Sequence, residues 1–111
     1  MTPLEGSCRG YASYGGAVSW SLSGREICAS VAEDGERHVA FTMPAEDAGF
    51  LRGLIARALE EGDDFEEGYG VAFDDMDFMW VSRGSRLVGM DVMDADRLVE
   101  WLDEVAREAR P

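Results

Sequence analysis

Lysine is absent from this 111-residue chain, and its ten basic residues are all arginine. A phosphate-binding P-loop needs a lysine at its end, and GRG, GYG and SRGS do not supply that motif. There is a single histidine, His38. Any Ser-His-Asp or Cys-His arrangement must therefore use it. Cysteine is limited to Cys8 and Cys28, too few for a disulfide framework and at a spacing that fits no zinc pattern. Both thiols are expected to be reduced. No apolar run approaches the roughly 20 residues that cross a bilayer. The start, MTPLEGSCRG, has neither the basic nor the apolar segment of a secretory signal. These absences point to a cytoplasmic protein with no membrane partner.

The carboxylates are abundant. Twenty-three Asp and Glu face ten Arg, for a formal net charge of -13. Such a field repels phosphate backbones and anionic lipid, which disfavours direct nucleic-acid binding. It attracts basic proteins. The hydrophobic share, 46%, with eleven aromatics (three Trp, three Tyr, five Phe), is enough for one packed core at this length.

Residues 1–10 read as a loose lead-in, and 11–111 as one α+β domain in two similar halves, 11–62 and 63–111. In GAVSWSLSG, Val18, Trp20 and Leu22 alternate with small polar residues, the period of a half-buried strand. Ile27, Ala29 and Val31 continue the pattern inward, with Cys28 and Ser30 outward. Asp34-Gly35 predicts a tight hairpin turn. Val39, Phe41 and Met43 are then expected on the inner face, and His38 on the outer face beside Cys28. From Pro44 the period lengthens, and Leu51, Leu54, Ile55, Ala58 and Leu59 form a helical stripe closed by Gly62.

The second half repeats this order. Tyr69, Val71 and Phe73 alternate, then DFMWVSRG and RLVGMDVM form a hairpin around Gly84-Ser85. A last helix follows, with Asp94 as N-cap and Leu98, Trp101, Leu102, Val105 and Ala109 as its apolar stripe. A shift of 50 residues sets Val31 on Val81, Met43 on Met93, Ala45 on Ala95, and Ile55-Ala56-Arg57 on Val105-Ala106-Arg107. The expected architecture is βββα-βββα, an antiparallel sheet with two helices packed on one face.

The most acidic stretch is EEGDDFEEGYGVAFDDMD, residues 60–77, with nine carboxylates and no base. Counted from Asp63, Gly68 and Asp74 fall at the glycine and the terminal acid of a calcium loop, but Phe65 stands where an oxygen ligand is required. Catalytic carboxylates need burial or a partner that separates their pKa values, and a hydrophilic acid-rich loop offers neither. The chain is thus read as a non-enzyme with no cofactor and no metal. Arg83 and Arg86 flank the last hairpin turn, where they are either solvated or able to hold an anion.

The strand at Phe78–Val81 is apolar on both faces. Phe78 and Trp80 share one side, Met79 and Val81 the other. A helix covers one side, and the other, with Met90 and Val92, is expected to form an exposed patch suited to adaptable contacts. The function these features favour is a small acidic binding module. It resembles in its physics an inhibitor, immunity protein or antitoxin that blocks a basic nucleic-acid-handling protein by imitating a phosphate row. The binding residues expected are Glu60, Glu61, Asp63, Asp64, Glu66, Glu67, Asp74, Asp75 and Asp77, with Met79 and Val81 as apolar anchors. The alternative is a homodimeric chaperone or assembly factor that holds a client on an exposed sheet face.

Overall fold

A computed structural model describes residues 3–8, 16–33 and 35–109. The chain is α+β. The first half comprises β1 (Leu4–Cys8), β2 (Gly16–Ser23), β3 (Glu26–Glu33), β4 (Glu36–Pro44) and helix α1 (Ala48–Glu61). The second comprises β5 (Asp64–Glu66), β6 (Tyr69–Phe73), β7 (Phe78–Arg83), β8 (Arg86–Asp91) and helix α2 (Ala95–Glu108). A meander followed by a helix, twice over, is the order the periodicities predict.

Each half carries one strand more than expected. The lead-in is β1, paired antiparallel with β2 so that Leu4 lies opposite Trp20 and is buried. LEGSC has one large apolar residue, so its strand character comes from its partner rather than from its own pattern. The acid-rich stretch after α1 contains β5. Its carboxylates are a poor strand signal, but Arg57 of α1 takes both Asp64 and Glu66. Glu67 and Gly68 then turn the chain with φ of 54° and 84°. Two positive φ values in a row are the geometry of a tight two-residue hairpin. Asp34, half of the turn predicted between β3 and β4, lies outside the described residues.

The strands form two four-stranded sheets, in orders β1-β2-β3-β4 and β5-β6-β7-β8, rather than one. β8 touches all four strands of the first sheet. A strand aligned with its neighbours would meet only one or two of them, so the second sheet crosses the first at β8. Helix α1 packs on α2 and on β5 and β6, and α2 reaches β1. One continuous apolar core joins both sheets and both helices. Trp20 and Phe41 meet edge-on within it, their ring centroids 5.7 Å apart. The indole nitrogen of Trp20 is buried without an acceptor among the described residues, which costs about 1–3 kcal/mol.

The internal repeat is real in shape but shifts register along the chain. At the hairpin tips an offset of 50 holds, since Val31 pairs with His38 and Val81 with Val88. At the helices the offset is 47. The buried residues Ala48, Leu51, Leu54, Ile55 and Ala58 of α1 correspond to Ala95, Leu98, Trp101, Leu102 and Val105 of α2. The three lost residues lie in the last strand of each half, nine residues in β4 and six in β8. A bulge opposite Ala29/Ser30 accounts for one of the three. Met43 and Met93 are therefore not counterparts: one is fully buried and the other is 84% exposed. Leu59 and Ala109 fall off the stripes and are exposed. Each helix is entered through a short 3-10 turn; Asp94 stands at the N-cap position of α2 as expected, though without a side-chain cap bond, and Asp91 caps the 3-10 turn before it by accepting the Met93 amide at 2.9 Å. Asp94 instead receives Arg97.

Candidate protein-binding face

The second sheet has one face in the core and one in solvent, and cross-strand rows decide which is which. Val71, Val81 and Val88 form one apolar row, and Phe73, Met79 and Met90 another. The rows that alternate with them are thinner: Ala72, Trp80 and Gly89 in one, Gly70, Ser82 and Leu87 in the other. The aliphatic rows turn inward because they remove more continuous apolar surface from water. Met79 and Val81 are accordingly fully buried. The expectation that they form an exposed patch is corrected, and the outer side of β7 belongs to Phe78 and Trp80, both half-buried.

Aromatic rings substitute for missing side chains on this outer face. The Trp80 ring lies over Gly89, where an added Cβ would sit 2.7 Å from it. The Phe65 ring lies over Gly70 in the same way, while remaining 68% exposed itself. Asp74 fixes the Trp80 indole by accepting its N–H at 2.9 Å. Its other oxygen accepts the amides of Met76 and Phe78 at 2.8 and 3.1 Å, which shapes the β6–β7 turn.

The nine acids thus separate into two kinds. Asp74 is spent on the turn, and Asp63 accepts the Phe73 amide at 3.0 Å. Asp64 and Glu66 are held by Arg57, whose guanidinium is pushed above its ordinary range by hydrogen bonds to Glu66 and Asp64. Glu60, Glu61, Glu67, Asp75 and Asp77 are exposed. The Asp63–Phe73 bond joins the 60–67 segment to the end of β6, so the two acid groups are neighbours in space. The carboxylates meant for calcium are committed to backbone amides, and the loop between them is a hairpin.

The β6–β7 turn also meets the end of β8. Val92 donates its amide to the Asp77 carbonyl at 3.0 Å, and Phe78 pairs with Asp91. This brings exposed Met76 and Met93 to the same end of the sheet as Asp75, Asp77 and Asp91. The two methionines escape sequence reading because they lie outside any strand or helix period.

The remaining candidate residues are placed apart from this face. The β4 bulge reverses the alternation beyond it, so Val39 points outward at 51% exposure and His38 pairs with Val31 on the inner side, beyond the core edge. Cys28 pairs with Thr42 on the outer side. Three residues of strand, about 10 Å, and the sheet itself separate Cys28 from His38. No Cys-His pair is assembled there. The Cys28 thiol is free, and burial, aided by the Glu26 charge, raises its pKa. His38 faces Glu36 at 3.7 Å on the surface.

Arg83 and Arg86 leave the hairpin tip and reach the first sheet. Arg83 donates to the Thr42 carbonyl and Arg86 to that of Val39 at 3.2 Å. Arg83 also lies over the Tyr69 ring, 5.6 Å from its centroid. The Tyr69 hydroxyl donates to Asp47 at 2.9 Å. Burial first, and Asp47 second, push the Tyr69 phenol up to about 12. These arginines thus cover the carbonyls of Thr42 and Val39 on β4.

No helix among the described residues is long and apolar enough to cross a membrane. No protein-family model matches the chain, and no curated protein matches it. Among solved structures, the crystal structure of an SsgA-like sporulation-specific cell division protein from Thermobifida fusca is similar. The identity is 12%, the TM-score is 0.56, and the match covers 94% of this chain and 79% of that one. This likeness shows a shared fold, the paired sheet-and-helix architecture described above.

Proposed function

We propose that this chain is a non-enzymatic protein-binding module that docks a basic protein on the outer face and acidic end of its second sheet. The observation that supports this is the joining of exposed apolar and acidic groups at one end. Met76, Met93, Phe78 and Trp80 lie with Asp75, Asp77 and Asp91, on a molecule of net charge -13. The carboxylates steer a basic surface into place, and the aromatic and thioether groups provide contacts that exclude water. Blocking a nucleic-acid-handling protein by occupying its phosphate-binding surface is the inhibitory role this chemistry suits best. Phe65, Phe78, Trp80, Met76 and Met93 replace Met79 and Val81 as its apolar contacts.

The test is a partner captured at low salt and then titrated in purified form. Its affinity should fall at least about tenfold between 50 and 300 mM salt, since exposed charges are screened over that range. Replacing Asp75 and Asp77 by Asn should reproduce much of the loss. A partner whose binding ignores both salt and these substitutions would rule the reading out.

A second reading is an assembly factor, favoured by the fold shared with a sporulation-specific cell division protein and by the 68% exposure of Phe65. In that case Phe65→Glu abolishes binding, the Asn variants do not, and sedimentation reports a homodimer or a client complex.

A further inference from the structure

The groove between β4 and the β7–β8 hairpin carries an inference of its own, independent of a basic partner. β4 ends its sheet, so the main-chain groups along its outer edge have no strand partner among the described residues. Facing that edge are Arg83 and Arg86, directly opposite each other in the β7–β8 register. Like charges placed so destabilise a strand pair unless an anion offsets them. Neither arginine has a carboxylate partner among the described residues, despite the 23 acids in the chain. Both donate to neutral carbonyls, at Thr42 and Val39. A carboxylate would add a second ionised partner and a bidentate geometry that a single carbonyl does not offer a guanidinium.

We infer that the β4 edge from Val39 to Thr42 accepts an extended acidic peptide segment of a partner protein by strand addition, with Arg83 and Arg86 receiving its carboxylate. The segment replaces the two arginines on the β4 carbonyls with its own amides, and the arginines exchange neutral acceptors for a charged one. The carbonyls give up charged donors, and the guanidinium–carboxylate bonds together with the added main-chain bonds offset that loss. Asp47 and Glu67 also line the groove. Their charge opposes a multiply charged anion such as phosphate more than a single carboxylate on a chain that adds main-chain bonds. Tyr69, bonded to Asp47 and stacked under Arg83, keeps that guanidinium aligned along the groove.

The test uses the full chain, labelled with nitrogen-15, and a capped seven-residue peptide of alternating valine and threonine around one central glutamate. Its glutamine counterpart and inorganic phosphate are the comparisons. The glutamate peptide should shift the amides of Val39–Thr42 and the side-chain N–H signals of both arginines. It should bind at least about tenfold more tightly than the glutamine peptide, the gain of one charged acceptor over a neutral one. Arg86→Gln, at an exposed position, should remove that preference with the melting temperature unchanged, and Arg83→Lys should reduce it. Equal binding of the two peptides, or no shift along β4, would overturn the inference. So would a response to phosphate that matches the peptide and leaves the β4 amides still, which marks an adventitious anion only.

Discussion

The indole N–H of Trp80 is bonded to the carboxylate of Asp74 at 2.9 Å, across the turn that joins β6 to β7. The same carboxylate accepts two amides of that turn, so one side chain sets both the loop and the aromatic ring beside it. The ring in turn covers Gly89 on the next strand. The acid at position 74 is therefore structural, while its neighbour Asp75 is exposed and available to a partner.

Asp74→Ala should cost about 1–2 kcal/mol, the range for losing a side-chain acceptor that satisfies turn amides. Asp75→Ala should change stability by less than about 0.5 kcal/mol. Urea unfolding of the two variants measures the difference, and equal costs would refute the division between them.

Gly89→Ala places a methyl group 2.7 Å from the Trp80 ring, which Asp74 holds in position. A loss of about 1–3 kcal/mol is expected, typical of forced overpacking. Tryptophan fluorescence should shift to longer wavelength as the ring moves into water.

Met79→Glu and Val81→Glu bury a carboxylate where no partner exists, and each should cost about 4 kcal/mol or more. Met76→Glu and Met93→Glu, at exposed positions, should leave the unfolding midpoint nearly unchanged. Circular dichroism of the four variants separates core from surface directly.

Tyr69 makes stability fall at alkaline pH. Its phenol is pushed up from about 10 to about 12, so the folded state favours the protonated form. That contribution is complete below pH 10 and is lost as pH rises from 10 to 12. The stability advantage of the native chain over Tyr69→Phe should shrink across that window. A constant difference between pH 9 and 12 would contradict the raised pKa of the buried Tyr69 phenol.

Glu67 sits at φ 54° in the β5–β6 turn, a conformation that asparagine adopts more readily. Glu67→Asn should raise stability by about 0.5–1 kcal/mol, which thermal unfolding would register.

Local chemistry alone determined the order of elements. The alternation of Val18, Trp20 and Leu22, and the stripe from Leu51 to Ala58, need only side-chain period and apolar burial to be legible. The junction of the two halves was also legible as the acidic end. Tertiary structure decided what period cannot encode. β1 and β5 exist because a neighbouring strand and Arg57 complete them. β7 is apolar on both sides, so its inner face was set by the rows it forms with β6 and β8. The β4 bulge sent His38 and Cys28 to opposite faces and supplied one of the three residues by which the helical repeat leaves the register of the hairpin tips. Arg83 and Arg86, two charges near a turn in the sequence, became contacts on a strand more than forty positions away. A side chain's own pattern limits which elements form, but its role depends on which distant groups can complete its contacts and keep water out.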